Sequence, residues 1–243
     1  MSDSSVLHKA NTRGSQDHRW LKVNHTFSFA NYHNPNRMHF GVLRVLNDDS
    51  ISGGKGFGTH PHDNMEIITI PLEGALAHKD NMGNGTIIKN GDVQVMSAGT
   101  GITHSEFNSN EDHAVKVLQI WLFPNKKNVT PRYDQLSLED IEVKNEFYQI
   151  LSPNQNDQGV WIHQNSWFSM AEFDSDKEVN YNLNLASNGI YIFIIEGQAL
   201  VGKQLLEKRD GFGIWNIENI NIFASKGAKI LLMEVPMNMS KLV

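Results

Sequence analysis

Two short motifs carry donor atoms at a spacing that suits a metal ion: His60-Pro61-His62 and His104-Ser105-Glu106. Each is a pair of ligand-type side chains two residues apart. On a β-strand, residues i and i+2 project from the same face, so each pair aims two donors at one point. If the two strands face each other inside a barrel, three imidazoles and one carboxylate converge. Such a donor set suits Fe, Cu, Ni, Mn or Zn, and the residue types do not choose among them. The competing reading is four unrelated polar residues. Two pairs at the ends of one motif frame, Phe57 to Phe107, argue against it.

The stretches around these motifs read as strands. Phe40 to Leu46 forms one, closed by the turn residues Asn47, Asp48 and Asp49. Gly53, Gly54, Gly56 and Gly58 crowd the approach to His60, where the backbone must bend or pass close to another; no helix follows to make a phosphate cradle. Met65 to Pro71 is a buried strand ended by Glu73-Gly74. Thr86 to Met96 reads as strand, Asn90-Gly91 turn, strand. Ala114 to Phe123 is a further buried strand. Before them, residues 1–19 form a polar arm or a first edge strand, and Trp20 to Tyr32 is rich in β-branched and aromatic residues. Pro124 to Leu136 is a connector, followed by an acidic stretch that holds one helical turn.

Composition narrows the function classes. The 243 residues carry a net charge of −6 with no basic run, which speaks against direct contact with nucleic acid. The absence of cysteine removes disulfides, thiolate zinc sites, iron–sulfur clusters and cysteine nucleophiles together. The polar opening MSDSSVLHKANTRGSQ lacks the apolar core of a signal peptide, and no apolar run approaches the roughly 20 residues of a membrane helix. A cytoplasmic protein with no membrane association is expected.

An internal repeat organises the rest. Glu73-Gly74, a Gly91-Asp92 turn, the His104/Glu106 strand and VLQIWLF recur loosely as Glu196-Gly197, Arg209-Asp210-Gly211, NIENINIF and ILLMEV. Two tandem β-barrels on one plan explain this. In the second, the slot like His-Pro-His holds Asn182-Leu183-Asn184, and the slot like His-Ser-Glu holds Asn219 and Asn221. Asn amides are weak ligands beside imidazole and carboxylate. The second barrel therefore keeps the fold without the metal.

The motif order HPHDNMEI, EGALAHKD and GDVQVMSAGTGITHSE, with His25-Thr26-Phe27-Ser28-Phe29-Ala30 upstream, resembles the pirin family, two-domain members of the cupin superfamily. The resemblance is specific from Trp20 to Trp121 and looser beyond; Ile214-Trp215 after the Asp-Gly turn is similar to the quercetinase-like bacterial members. It implies an all-β bicupin, two tandem cupin (double-stranded β-helix, jelly-roll) barrels. A metal-binding barrel over residues 1–135 would be followed by a barrel lacking the ligands over 136–243. By motif, the ligands are His60, His62, His104 and Glu106 on one divalent transition metal. Fe(II) comes first, with Cu, Ni, Mn, Co or Zn as alternatives. Asn64 stands where many members have Asp, outside the ligand set.

Members of the quercetinase-like group are understood to bind the flavonol 3-hydroxyl at the metal and to cleave the heterocycle with dioxygen, releasing carbon monoxide. Glu106 would be ligand and base in turn. Phe40, Met65, Phe107 and Trp121 are the apolar candidates for the pocket wall. The other function class is a metal-binding, redox-sensing regulator that acts through a protein partner. An open pocket favours the enzyme; a sealed one beside a large apolar patch favours the regulator. His8, His18, His33, His39, His113 and His163 receive no role, since a lone histidine in a β protein is more often a core or surface residue. His25 and His78 lie in family motifs outside the ligand set, in supporting or folding roles.

Overall fold

The computed structural model describes residues 4–239. The strands run β1 (Ser4–His8), β2 (Gly14–Asp17), β3 (Leu21–His25), β4 (Leu43–Ile51), β5 (Gly56–His62) and β6 (Glu66–Glu73). They continue as β7 (Ala75–Asp80), β8 (Gly85–Lys89), β9 (Asp92–Ser97), β10 (Ile102–Asn108), β11 (Val115–Leu122) and β12 (Arg132–Ser137). The second half supplies β13 (Tyr148–Ser152), β14 (Val160–Trp161), β15 (Trp167–Glu172), β16 (Lys177–Asn182) and β17 (Asn188–Glu196). It ends with β18 (Gln198–Val201), β19 (Gln204–Glu207), β20 (Gly211–Trp215), β21 (Asn219–Ala224) and β22 (Lys229–Pro236). Apart from two single 3-10 turns, Ala10–Thr12 and Leu138–Asp140, the described residues hold no helix. None is therefore long and apolar enough to cross a membrane.

Each half is a seven-stranded sheet facing a four-stranded one. The first pair has strand orders β12-β9-β6-β11-β4-β3-β2 and β5-β10-β7-β8. The second has β1-β20-β17-β22-β15-β13-β14 and β16-β21-β18-β19. The repeat is visible in the backbone: Gly74 and Gly197 sit at φ +76 and +73, while Gly91 and Arg209 sit at +91 and +68. The chain is an all-β bicupin, as expected.

One edge strand crosses between the halves. β1 pairs with β20 in the second sheet, and β12, which straddles residue 135, pairs with β9 in the first. β1 and β12 are thus the terminal strands of the two large sheets. The two large sheets pack against each other through one apolar core, with Phe27, Phe40, Leu46 and Ile120 meeting Tyr191, Phe193, Leu231 and Met233. Gly213 lets the Phe40 ring approach: a Cβ there would lie 2.5 Å from Cε2 of that ring.

Several local expectations need correction. Asn47, Asp48 and Asp49 do not close a strand; they lie within β4, hydrogen-bonded on both sides to β3 and β11. Turn-type residues are tolerated there because their side chains find uses inside or between the barrels. The connector from Pro124 contains β12. Phe40 precedes β4 and fills the core between the sheets. In the second barrel, Asn219 and Asn221 face solvent, and the inward row of β21 is Ile220, Ile222 and Ala224. Leu183, Val179 and Tyr181 pack on the same core. A one-residue slip in alignment exchanges the faces of a strand. The ligand-bearing face of that barrel is thus apolar rather than amide-lined.

Candidate metal centre

β5 and β10 run antiparallel, with His60 opposite His104 and Ile102 opposite His62. The register shifts between His104 and Glu106, so that Glu106 pairs with Phe57. The extra residue of this bulge bends β5 and re-aims its side chains. Close backbone passage is required here: a Cβ on Gly56 would lie 2.2 Å from the Glu106 carbonyl oxygen. Asn64 is left-handed, at φ 45, in the link from β5 to β6, and its Oδ1 accepts from the Asn128 amide at 2.7 Å. Its side chain is committed to that link.

Ligand atoms of His60, His62 and His104 lie within 4.8 Å of one another. Those of Glu106 fall within the same spacing of His104 and His78. The structure thus gathers the three sequence-predicted imidazoles at one point, while Glu106 reaches His104 and turns toward His78. His60 bonds the Gly58 carbonyl through Nδ1 at 2.8 Å, which leaves Nε2 for an ion. His104 is 3% exposed, and neither ring nitrogen has a hydrogen-bond partner. Buried polar atoms left this way are costly, and a metal is the partner that three converging imidazoles fit best.

Burial, with the adjacent imidazoles adding, brings His62 down to about 4 and His104 down to about 3. Both rings are therefore neutral near pH 7, the form that binds a cation. Burial pushes the Glu106 carboxyl up from its ordinary value, opposed chiefly by the hydrogen bonds from Gln119. Gln119 Nε2 donates to both carboxylate oxygens, at 2.9 and 3.0 Å.

The site opens into a cavity of about 420 Å³, walled by Trp20, Phe29, Phe57, Ile67 and Trp121. Trp121 is the expected wall residue found there; Phe40 lies in the core between the sheets, Met65 packs on the cluster of Ile67, Met96, Ala98 and Ile102, and Phe107 is 41% exposed on the outside. Trp20 and Phe29 come from the N-terminal segment, which reads in sequence as packing. Their place on the wall follows from edge-to-face contacts, Trp20 on Phe57 and Phe29 on Trp121.

Residues 6–122 match the pirin family, and residues 149–235 match the quercetinase C-terminal cupin domain. Quercetin 2,3-dioxygenase of Escherichia coli is 40% identical over 230 residues, covering 95% of this chain and 98% of that protein. The chain belongs to the pirin family. A pirin-like protein of Caulobacter vibrioides is 37% identical over 222 residues, covering 91% of this chain and 95% of that one. The crystal structure of YhhW from Escherichia coli agrees with a TM-score of 0.91 at 38% identity, covering 96% of this chain and 98% of that one. Bacterial pirin YhhW in complex with nickel(II) agrees at 0.90 and 38%, covering 96% and 99%.

Sequence reading misses two residues of this pirin site. Gln119 sits in an apolar run with no motif to mark it. Asp49 looks like a turn residue. The missed signal for Gln119 is a lone amide in VLQIWLF, where a buried polar group needs a partner. It belongs to a row in cross-strand register, His25, Asn47, Gln119, Thr69 and Gln94, which crosses the inner face of the large sheet.

Proposed function

We propose that this pirin is a metal-dependent dioxygenase of the quercetin 2,3-dioxygenase type, acting on a flavonol-like substrate. His60, His62, His104 and Glu106 would hold one divalent transition metal. The observation that carries the reading is His104: buried, neutral, without partners, and flanked by His60 and His62 on the floor of an aromatic cavity. A redox-active ion there, Fe(II) first, would supply binding of an enolisable oxygen pair and of dioxygen. The volume lies within the roughly 300–1,000 Å³ usual for small-molecule pockets. Two findings on relatives also support the reading: the 40% identical Escherichia coli protein is named quercetin 2,3-dioxygenase, and a crystal structure of Escherichia coli YhhW holds nickel(II).

The remaining work falls to the chain's own groups. The walls of Trp20, Phe29, Phe57 and Trp121 take a planar ring system and exclude water from it. Gln119 fixes the Glu106 carboxylate in one orientation. Glu106 accepts the proton of the substrate hydroxyl as general base. The cavity is reachable, since His60 and His62 are half-buried and Gly58 is exposed. That openness favours the enzyme over the regulator.

The test is anaerobic iron reconstitution followed by oxygen uptake and carbon monoxide detection with quercetin. Turnover in the wild type that is lost in both Glu106→Ala and His62→Ala supports the reading. One ion bound per chain, with no oxygen consumed whichever metal is loaded, removes quercetin as substrate and turns attention to the regulator.

A further inference from the structure

β4 carries two adjacent carboxylates with opposite fates. Asp48 points out of the barrel and is ion-paired to Arg13 at 3.1 Å and to Arg209 at 3.6 Å. Asp49, one residue on, points inward on the face that also carries Asn47. It is 5% exposed and lines the cavity of the histidine cluster. Its Oδ1 has no hydrogen-bond partner, and its carboxyl makes no ion pair among the described residues.

The other polar groups on this wall are committed. Asn47 Oδ1 is bonded to His25 Nδ1 at 2.8 Å, Gln119 Nε2 serves Glu106, and the Gln119 oxygen faces Thr69 Oγ1 at 3.4 Å. Outside the histidine cluster, Asp49 is the carboxyl of this wall left without a side-chain partner among the described residues. A buried carboxyl in this condition destabilises the protein unless something in the cavity satisfies it. Folding therefore gains nothing from an acid at this place, and the walls around it are aromatic.

We propose that Asp49 sets the substrate specificity of this cavity: its carboxyl takes a phenolic hydroxyl of the aromatic ligand, apart from the oxygen pair that the metal would hold. The inference rests on the flavonol reading above and adds to it which flavonols are taken. A wall group that needs a hydrogen bond rejects the analogue lacking the matching hydroxyl, because binding that analogue leaves the acid buried and unpaired. Burial first, then the neighbouring Asp48 and Glu106 charges, pushes the Asp49 carboxyl well above its ordinary value.

The experiment uses the full chain loaded with Zn(II), titrated anaerobically and followed by tryptophan fluorescence. Quercetin is compared with 3-hydroxyflavone, which keeps the 3-hydroxyl and 4-carbonyl but has no other hydroxyl. The wild type is expected to prefer quercetin by about tenfold or more. In Asp49→Leu that ratio falls to about one through loss of quercetin affinity, with 3-hydroxyflavone bound as before and one Zn(II) still bound per chain. The melting temperature of the metal-free Asp49→Leu protein should equal or exceed that of the wild type, whereas a structural acid would lower it. Asp49→Ala carries the same ratio test if the leucine does not fit. An unchanged preference in either variant overturns the role of Asp49 alone. A Zn(II)-loaded wild type that binds neither flavonol overturns the flavonol reading, and this inference with it.

Discussion

Gln119 shows how one amide can govern a metal centre without touching the ion. Its Nε2 holds both oxygens of Glu106, and its neighbours in the polar row fix its own orientation. Gln119→Leu removes both amide hydrogen bonds from the buried Glu106 carboxylate and leaves Thr69 as its side-chain donor. Metal affinity is expected to fall by about 10–100-fold, the usual cost of losing a group that orients a ligand. Calorimetric titration of the metal-free variant with Zn(II) checks this, and an affinity equal to the wild type would show that Glu106 is positioned by other means. His60 and His62 were legible from the i, i+2 spacing alone. Gln119 and Asp49 were not, because each owes its role to a partner, or to the want of one, on another strand.

Among the elements, β1 has the least sequence signal and a defined place. It pairs over its whole length with β20, and His8 at its end bonds the Tyr191 hydroxyl at 2.8 Å inside the core between the halves. Burial, with the Arg37 charge adding, brings His8 down to about 4 from 6.5. Between those values the unfolded chain binds a proton at this residue and the folded chain does not. The stability linked to His8 is therefore intact above pH 6.5 and is lost as pH falls toward 4. His8→Gln should flatten the dependence of melting temperature on pH within that window; an unchanged slope would place the acid sensitivity elsewhere. The sequence suggested an edge strand here without naming the sheet, since pairing partners about 200 residues away leave no local trace.

At the scale of the molecule, the halves are bound twice over, by one apolar core and by β1, which crosses to the second sheet. Residues 1–135 expressed alone would expose Phe27, Phe40, Leu46 and Ile120 and would leave β1 without its sheet. That fragment is expected to be insoluble or unfolded, and the full chain to melt in one calorimetric transition with no separate step for either barrel. Two resolved transitions would show that the shared core is weaker than its composition implies. The same packing has a consequence for the site: β4 presents Asp48 to the arginines of the shared face and Asp49 to the cavity, so the contact between the halves also fixes the wall of the pocket.

The sequence by itself determined the strand-and-turn plan, the repeat, and the two donor pairs, because alternation, turn residues and i, i+2 spacing are local properties of the chain. In the second barrel it put Asn182, Asn184, Asn219 and Asn221 in the ligand slots, where β21 turns Ile220, Ile222 and Ala224 inward. A repeat aligned one residue out reverses inside and outside, and only hydrogen-bond register between strands corrects it. Tertiary structure alone decided which aromatic rings wall the cavity, that Glu106 is held by Gln119, and that Asp49 is buried without a partner. Each of these depends on which strands lie side by side and which face of a sheet is enclosed. Those choices are made by burial of the whole apolar surface, and no short stretch of residues records them.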